Sequence, residues 1–361
     1  MKFRFIVTIL LFLISKKSFC QNDSLQISSK WIAGINYGGI WGHNPPVYHL
    51  AQSHTTQIYA EYQMINHKKD WSETYKNSQF GIMIKYLNYN SKVLGSSFCA
   101  ILFIEPKINK CLSYRAGIGP VYNTNPWNLE NNQTNLMLGS NFAMSMHAQI
   151  NLTIKKRIRI GFGLTHFSNG SYTQPNAGIN TFYVSSGYIF RKIEVFKPES
   201  IFLKSINQSK NKTLRGISFS TSTSASLVEN FGVAGKKYGV YQLQGRIQYR
   251  LGRKSSLLLG MDWKKNLAVT NEIKQKPELG PKAEVIGLAI GHELHISQVS
   301  LISELGIYLN KKNLIYPALY QRYGVRYYWI KGFYSALYLS THKVKAECLE
   351  WCLGYNFRKK D

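Results

Sequence analysis

His166 and Ser168 stand two residues apart, a potential general base beside a potential nucleophile, with Asn169-Gly170-Ser171 directly after them. A serine hydroxyl attacks poorly until a neighbouring base takes its proton, so this pair has the residue types of acyl transfer. Its surroundings are unusual for such chemistry. Counting back in steps of two from Ser168 and His166 gives Leu164, Phe162, Ile160 and Ile158, while Arg157, Arg159, Gly161, Gly163 and Thr165 take the alternate positions. Side chains at i and i+2 of a strand share a face, so the polar pair ends a face that is otherwise oily. In a soluble protein that face is core; in a membrane barrel it meets lipid, and the pair is aimed at a lipid substrate.

The elements that must carry this pair are strands. From about residue 30 the chain alternates apolar and polar positions between polar turns, with no convincing long helix. The pattern predicts strands at 31–41, 55–64, 79–90, 95–105, 110–121, 138–154, 157–168 and 179–191. A polar segment follows, and then strands near 214–227, 239–251, 255–265, 283–295, 298–309, 319–329, 333–342 and 345–357. The last strand is the clearest: Leu349, Trp351, Leu353, Tyr355 and Phe357 share one face, and Cys348, Glu350, Cys352, Gly354 and Asn356 the other. Oily and aromatic outside with small and polar inside is the pattern of a transmembrane barrel strand, although a soluble sandwich also alternates. The expected fold class is therefore all-β, an antiparallel transmembrane β-barrel. It has about eight strands in an N-terminal half and about eight more in the C-terminal half, as one large barrel or two fused small ones. The halves also rhyme: Ile158–His166 resembles Phe333–His342, and each is followed by a strand ending Gly-Tyr-x-Phe.

Residues 1–20 read as a secretory signal peptide: Lys2 and Arg4 precede the apolar run Phe5 to Ile14. The expected organisation is a signal peptide at 1–20, a barrel region with the active site at 21–195, a linker at 196–213 and a second barrel region at 214–361. Export with 24 Tyr, 18 Phe and 28 Gly points to β structure, and the signal peptide, the Tyr and Trp near strand ends and a closing strand ending on Phe357 point to the bacterial outer membrane. The formal charge is +27, of which Lys2, Arg4, Lys16 and Lys17 contribute four, leaving +23. Such an excess favours polyanions, phosphorylated lipid among them, or reflects basic solvent-facing loops. Export argues against nucleic acid. Cys99 and Cys111 flank the Glu105-Pro106-Lys107 turn and either meet across a hairpin or remain free thiols.

His166-Phe167-Ser168-Asn169 with Pro175-Asn176-x-Gly178-Ile179 resembles the active-site segment of the outer-membrane lipid A deacylases, and more closely the acyloxyacyl-hydrolase-like proteins. The motif covers about fifteen residues, and the strand order over roughly 30–192 agrees with it. The second half, with Gly235-Lys236-Lys237-Tyr238 and the closing Thr341-His342 to Phe357 segment, resembles longer members with extra barrel strands. The resemblance implies hydrolysis of an ester-linked acyl chain of lipid A by a Ser–His–acid triad on the outer barrel wall, with no metal or cofactor. Ser168 is then the nucleophile and His166 the base. The Asn169 side chain, with backbone N–H groups near Gly170 and Ser171, cradles the oxyanion, and Asn176 supports the loop. The family places a glutamate where this chain has Asn180. An asparagine oxygen can accept the histidine N–H, as in papain-like proteases, but it carries no charge to stabilise the imidazolium.

Blander readings stand beside these. Ser-Asn-Gly-Ser is ordinary turn chemistry, and a histidine at a barrel rim is commonly an interfacial polar residue. His292-Glu293-x-His295 lacks the i, i+4 helical spacing of zinc hydrolases. His342 and Glu350 have positions to pair on adjacent strands, with His342 facing the lumen, and Lys155-Lys156-Arg157 marks a tight turn opposite the catalytic loop. The function expected is an outer-membrane serine esterase acting on lipid A or a related glycolipid. The alternative is a non-catalytic barrel, porin-like or a relic of the esterase family.

Overall fold

Alternation along the chain closes into two barrels. The computed structural model describes residues 27–42, 45–66, 75, 78–193, 216–229, 235–330, 332–343 and 345–357. The first barrel comprises β1 (Ile27–Ile40), β2 (His54–Asn66), β3 (Gln79–Asn88), β4 (Ser96–Glu105), β5 (Leu112–Asn123), β6 (Phe142–Ile154), β7 (Ile158–Ser168) and β8 (Ile179–Ile193). The second comprises β9 (Gly216–Glu229), β10 (Lys237–Arg250), β11 (Ser255–Asn266), β12 (Val285–Ile296), β13 (Val299–Tyr308), β14 (Leu319–Tyr328), β15 (Phe333–His342) and β16 (Lys345–Phe357). Neighbours pair antiparallel throughout. β1 closes on β8 and β9 on β16, so the sixteen strands form two eight-stranded barrels rather than one large one. The positions read as signal peptide and linker lie outside the described residues.

Each barrel wears its oily face outward. On β7, Ile158, Ile160, Phe162 and Leu164 are exposed while Arg159 and Thr165 are buried. On β16, Trp351 is 70% and Leu353 63% exposed, whereas Cys348, Glu350 and Cys352 face inward. A soluble fold would hide these aromatic and aliphatic side chains; lipid is the solvent that accepts them.

Eight strands enclose a space that side chains fill, and here ion pairs fill it. In the first barrel Arg115 lies 2.6 Å from Glu61 and 2.8 Å from Glu105, and Arg159 lies 3.0 Å from Glu61 and also pairs with Glu105. In the second, Arg246 meets Asp262 and Glu304, both at 2.7 Å, and Arg322 meets Glu304 at 2.9 Å. Charges this buried persist only because each has several partners. Both lumens are therefore plugged where these clusters sit.

The loops at one end of each barrel are the longer ones. In the first barrel that end carries 41–53, 89–95, 124–141 and 169–178; the opposite end carries the turns 106–111 and 155–157 and the connection 67–78, most of which lies outside the described residues. Val47, Leu50, Tyr89, Leu94, Met137, Leu138, Phe167 and Ile179 pack into an apolar cap under those loops. The second barrel adds α1 (Leu267–Gln275), whose first N–H groups at Ala268 and Val269 are accepted by the Asn266 side chain. β6 begins at Phe142 rather than near residue 138, because the preceding chain is held as a loop: Trp127 N–H donates to the Leu138 carbonyl, and Asn135 Oδ1 accepts from Met137 and Leu138 N–H.

The cysteines at 99, 111, 348 and 352 are all free thiols. Cys99 faces the lumen opposite Val121 of β5, several rungs from the turn, whereas Cys111 is exposed within the turn itself. The hairpin register therefore separates the two residues that the sequence allowed to meet.

Candidate active site on the outer wall

β7 and β8 run side by side to the long-loop end, and their register sets His166 directly opposite Asn180. Between the two polar positions the strand ends are anchored inward: Phe167 and Ile179 are fully buried in the apolar cap. That anchoring leaves His166, Ser168 and Asn180 on the outer face, each half-buried. The Asn180 carbonyl also accepts Trp41 N–H at 2.8 Å, which ties this strand end to the continuation of β1. Around the polar patch the wall is oily: Met144 lies opposite Ser168 and Met146 opposite His166 on β6. Leu164 and Phe182 pair one rung below.

His166 Nδ1 lies 2.7 Å from Asn180 Oδ1. A carbonyl oxygen only accepts, so Nδ1 carries a proton; in the neutral imidazole Nε2 then holds the lone pair, the tautomer a general base needs. The imidazole can lie there because residue 178 is glycine. Gly178 has φ +76°, and a Cβ at that position would fall 2.9 Å from His166 Cε1 and 3.0 Å from the Phe167 carbonyl oxygen.

Two donors converge on Ser168 Oγ: the Asn176 side-chain amide at 3.0 Å and Gly170 N–H at 3.2 Å. A hydroxyl oxygen has two lone pairs and one proton. Both contacts fix the Oγ in place, and attack on a carbonyl carbon requires one of these donors to release the lone pair it holds. Asn176 works twice, because its Oδ1 also accepts Asn169 N–H at 3.2 Å. Asn169 itself is turned away: its amide donates to the Thr173 carbonyl at 2.8 Å and to Ser140 Oγ at 3.1 Å. The donors gathered at the serine are thus Gly170 and Asn176, where the sequence pointed first to the Asn169 side chain. Nothing in a sequence pattern distinguishes which of two nearby asparagines turns inward to brace the loop.

The loop 169–178 is gripped from two sides. Ala177 and Gly178 N–H groups donate to Leu136 and Met137 carbonyls of the 124–141 loop. On the other side it meets the second barrel, where Ser171 Oγ donates to the Ala346 carbonyl at 2.9 Å and Glu229 accepts Gln174 N–H. A cavity of about 430 Å³ lies at that junction, lined by Ser171, Gln174, Glu229, His342 and Glu347 among others. His166, Ser168 and Asn180 do not line it; they open onto the wall.

The remaining sequence candidates are structural. His292 contacts Ser255 Oγ at 3.0 Å, His295 lies between Ser256 and Ser300, and Glu293 pairs with Arg326 at 3.1 Å. Among the described residues no group of three or more His, Cys, Asp or Glu is placed to hold a metal ion. His342 does not pair with Glu350. A register shift between Ser340 and Thr341 instead sets it 3.2 Å from Tyr308 Oη and 3.6 Å from Glu347, while Glu350 takes Ser224, Gln242 and Ser340. Lys155 and Lys156, both at positive φ, form the β6–β7 turn at the end opposite the site.

Family models match both barrels. That of the lipid A 3-O-deacylases (PagL) matches residues 56–188, and that of the acyloxyacyl hydrolase C-terminal domain matches residues 216–359. The chain belongs to the lipid A deacylase family. Membership places it among hydrolases acting on ester bonds, and with an outward apolar wall on closed barrels it resides in the outer membrane. The deacylase match contains His166, Ser168 and Asn180 and so spans the whole candidate site. No curated protein sequence matches. Solved structures found similar include the NanC porin, at 6% identity and TM-score 0.19, covering 91% of this chain and 97% of that one. An outer membrane channel from Pseudomonas putida F1 has 9% identity and TM-score 0.21, covering 94% and 100%. The translocator domain of the autotransporter NalP from Neisseria meningitidis has 8% identity and TM-score 0.19, covering 98% and 95%. At scores this low none of these likenesses bears on function.

Proposed function

We propose that this protein is a serine esterase that removes an ester-linked acyl chain from lipid A, or a closely related glycolipid, in the outer leaflet. The observation that carries the reading is the placement of a base-tautomer histidine and a braced serine on the lipid-facing wall, rather than in a lumen. A substrate anchored in the leaflet reaches such a wall by lateral diffusion, its acyl chain lying along Met146, Phe162, Leu164 and Phe182. Barrels of this kind carry their longer loops outside the cell, which puts the site at the level of the outer leaflet.

In the reaction, Ser168 Oγ attacks the ester carbonyl carbon as His166 Nε2 takes the hydroxyl proton. The carbonyl oxygen becomes an oxyanion, to which the Gly170 N–H and the Asn176 amide, both now on Ser168 Oγ, would turn as that oxygen bonds to carbon. Collapse of the intermediate expels the sugar alkoxide, which receives the proton from His166, and leaves the acyl chain on Ser168. Water, deprotonated by His166, then releases the fatty acid and restores the serine. Asn180 holds the imidazole in place through both halves.

The conduit reading is disfavoured by the ion-pair plugs in both lumens. Expression of the full-length protein in a Gram-negative host, followed by mass spectrometry of its lipid A, tests the proposal. Lipid A lacking one ester-linked acyl chain is expected with the wild type and unaltered lipid A with Ser168→Ala. Unaltered lipid A beside correctly assembled wild-type protein would overturn it.

A further inference from the structure

The loop that sets the donors around Ser168 passes through a backbone conformation it would not hold alone. Gly170 and Ser171 are consecutive left-handed residues, at φ +63° and +65°. For glycine that costs little, but for serine it persists only where surrounding structure over-determines it. The surroundings that do so belong to the second barrel. Ser171 Oγ donates to the Ala346 carbonyl, and Glu229 N–H donates to the Ser171 carbonyl at 3.3 Å. The Glu229 carboxylate accepts Gln174 N–H at 2.5 Å, a charge-assisted contact with a backbone donor. Leu349, on the outer face of β16, lies against Gly170 so closely that a Cβ there would fall 2.8 Å from the Leu349 Cβ. Lys237 caps the Tyr172 ring at 3.5 Å.

We infer that Glu229 is a positioning residue of the active site, through which the second barrel holds the 169–178 loop in register with Ser168. Glu229 ends β9 and is 7% exposed, yet none of the salt bridges among the described residues involves it. A buried carboxylate is costly unless hydrogen-bonded, and this one accepts its hydrogen bond from the catalytic loop. From Gln174 the constraint passes two residues along the chain to Asn176, whose amide reaches Ser168 Oγ, and three residues back to Ser171. The second barrel is thus part of the machinery that shapes the site, although it supplies no group to the reaction itself. This inference rests on the esterase reading for its kinetic consequence, but its structural half stands apart from it.

The experiment uses full-length protein in detergent with Glu229→Ala and Glu229→Gln, read by hydrogen exchange over 169–178 and by fatty acid release from lipid A. In Glu229→Ala the loop amides should exchange at least about tenfold faster. kcat should fall about tenfold to a hundredfold with KM within about twofold, because displacement of reacting groups by an ångström costs that much. Glu229→Gln keeps an acceptor oxygen and should recover most of both losses, which a general loss of folding would not allow. Unchanged exchange in Glu229→Ala, or faster exchange with unchanged kcat, would overturn the inference. An inactive wild type would overturn the esterase reading and the kinetic role with it, while the exchange result would still decide whether Glu229 holds the loop.

Discussion

Replacing Asn180 by aspartate is the sharpest perturbation available, because it changes charge while leaving the shape of the side chain alone. The Oδ1 that now meets His166 Nδ1 at 2.7 Å would keep its place and gain a negative charge. With charge centres about 4 Å apart and an effective dielectric of about 20, the attraction for an imidazolium is about 4 kcal/mol. Asn180 is only half-buried, so solvent and headgroup screening reduce this, and the amide dipole it replaces already contributed part. A net gain of about 1.5–3 kcal/mol remains, felt when His166 is protonated in the transition state. That corresponds to about a tenfold to hundredfold rise in kcat. The assay is fatty acid release from lipid A micelles, for wild type and Asn180→Asp at matched folded fractions. An unchanged rate would refute the role assigned to the His166–Asn180 pair.

Other substitutions follow from single contacts. Asn176→Ala removes one of the two donors at Ser168 Oγ and the brace on Asn169 N–H; kcat should drop about a hundredfold, read in the same release assay with KM as the internal control. Gly178→Ala puts a methyl group 2.9 Å from the imidazole at φ +76°, so activity should collapse while the heat-dependent gel mobility of the folded barrel persists. Arg115→Met strips Glu61 and Glu105 of one of the two arginines that pair with them; urea unfolding in detergent should show a loss of about 3–5 kcal/mol, with the site on the far end of the barrel left in place.

The strands were legible in the sequence because a barrel wall imposes period two on every strand, and lipid outside sharpens the contrast. β15 and β16 begin and end where the alternation does. Whether the wall closed once or twice was not legible. Closure depends on which distant strands pair, and β1 and β8 look no different in pattern from strands that continue a sheet. The short helix α1 lay in a segment with too few residues to show a helical period against strand neighbours. The site was read as far as its strand positions: His166 and Asn180 share a rung because both flank one loop on the same face. The loop interior was less legible. Asn169 and Asn176 have the same chemistry, and the choice between them is made by the Thr173 carbonyl within the loop and by Ser140 from outside the motif. Glu229 left no sequence signal, since its contact spans the gap between two barrels.

The central claim, that Ser168 breaks an acyl ester of lipid A, is tested most directly with purified protein. Fatty acid release from defined lipid A is followed for the wild type and for Ser168→Ala, with both shown to be folded. Release by the wild type and none above background by the variant is the expected result. Equal release from the two would contradict it.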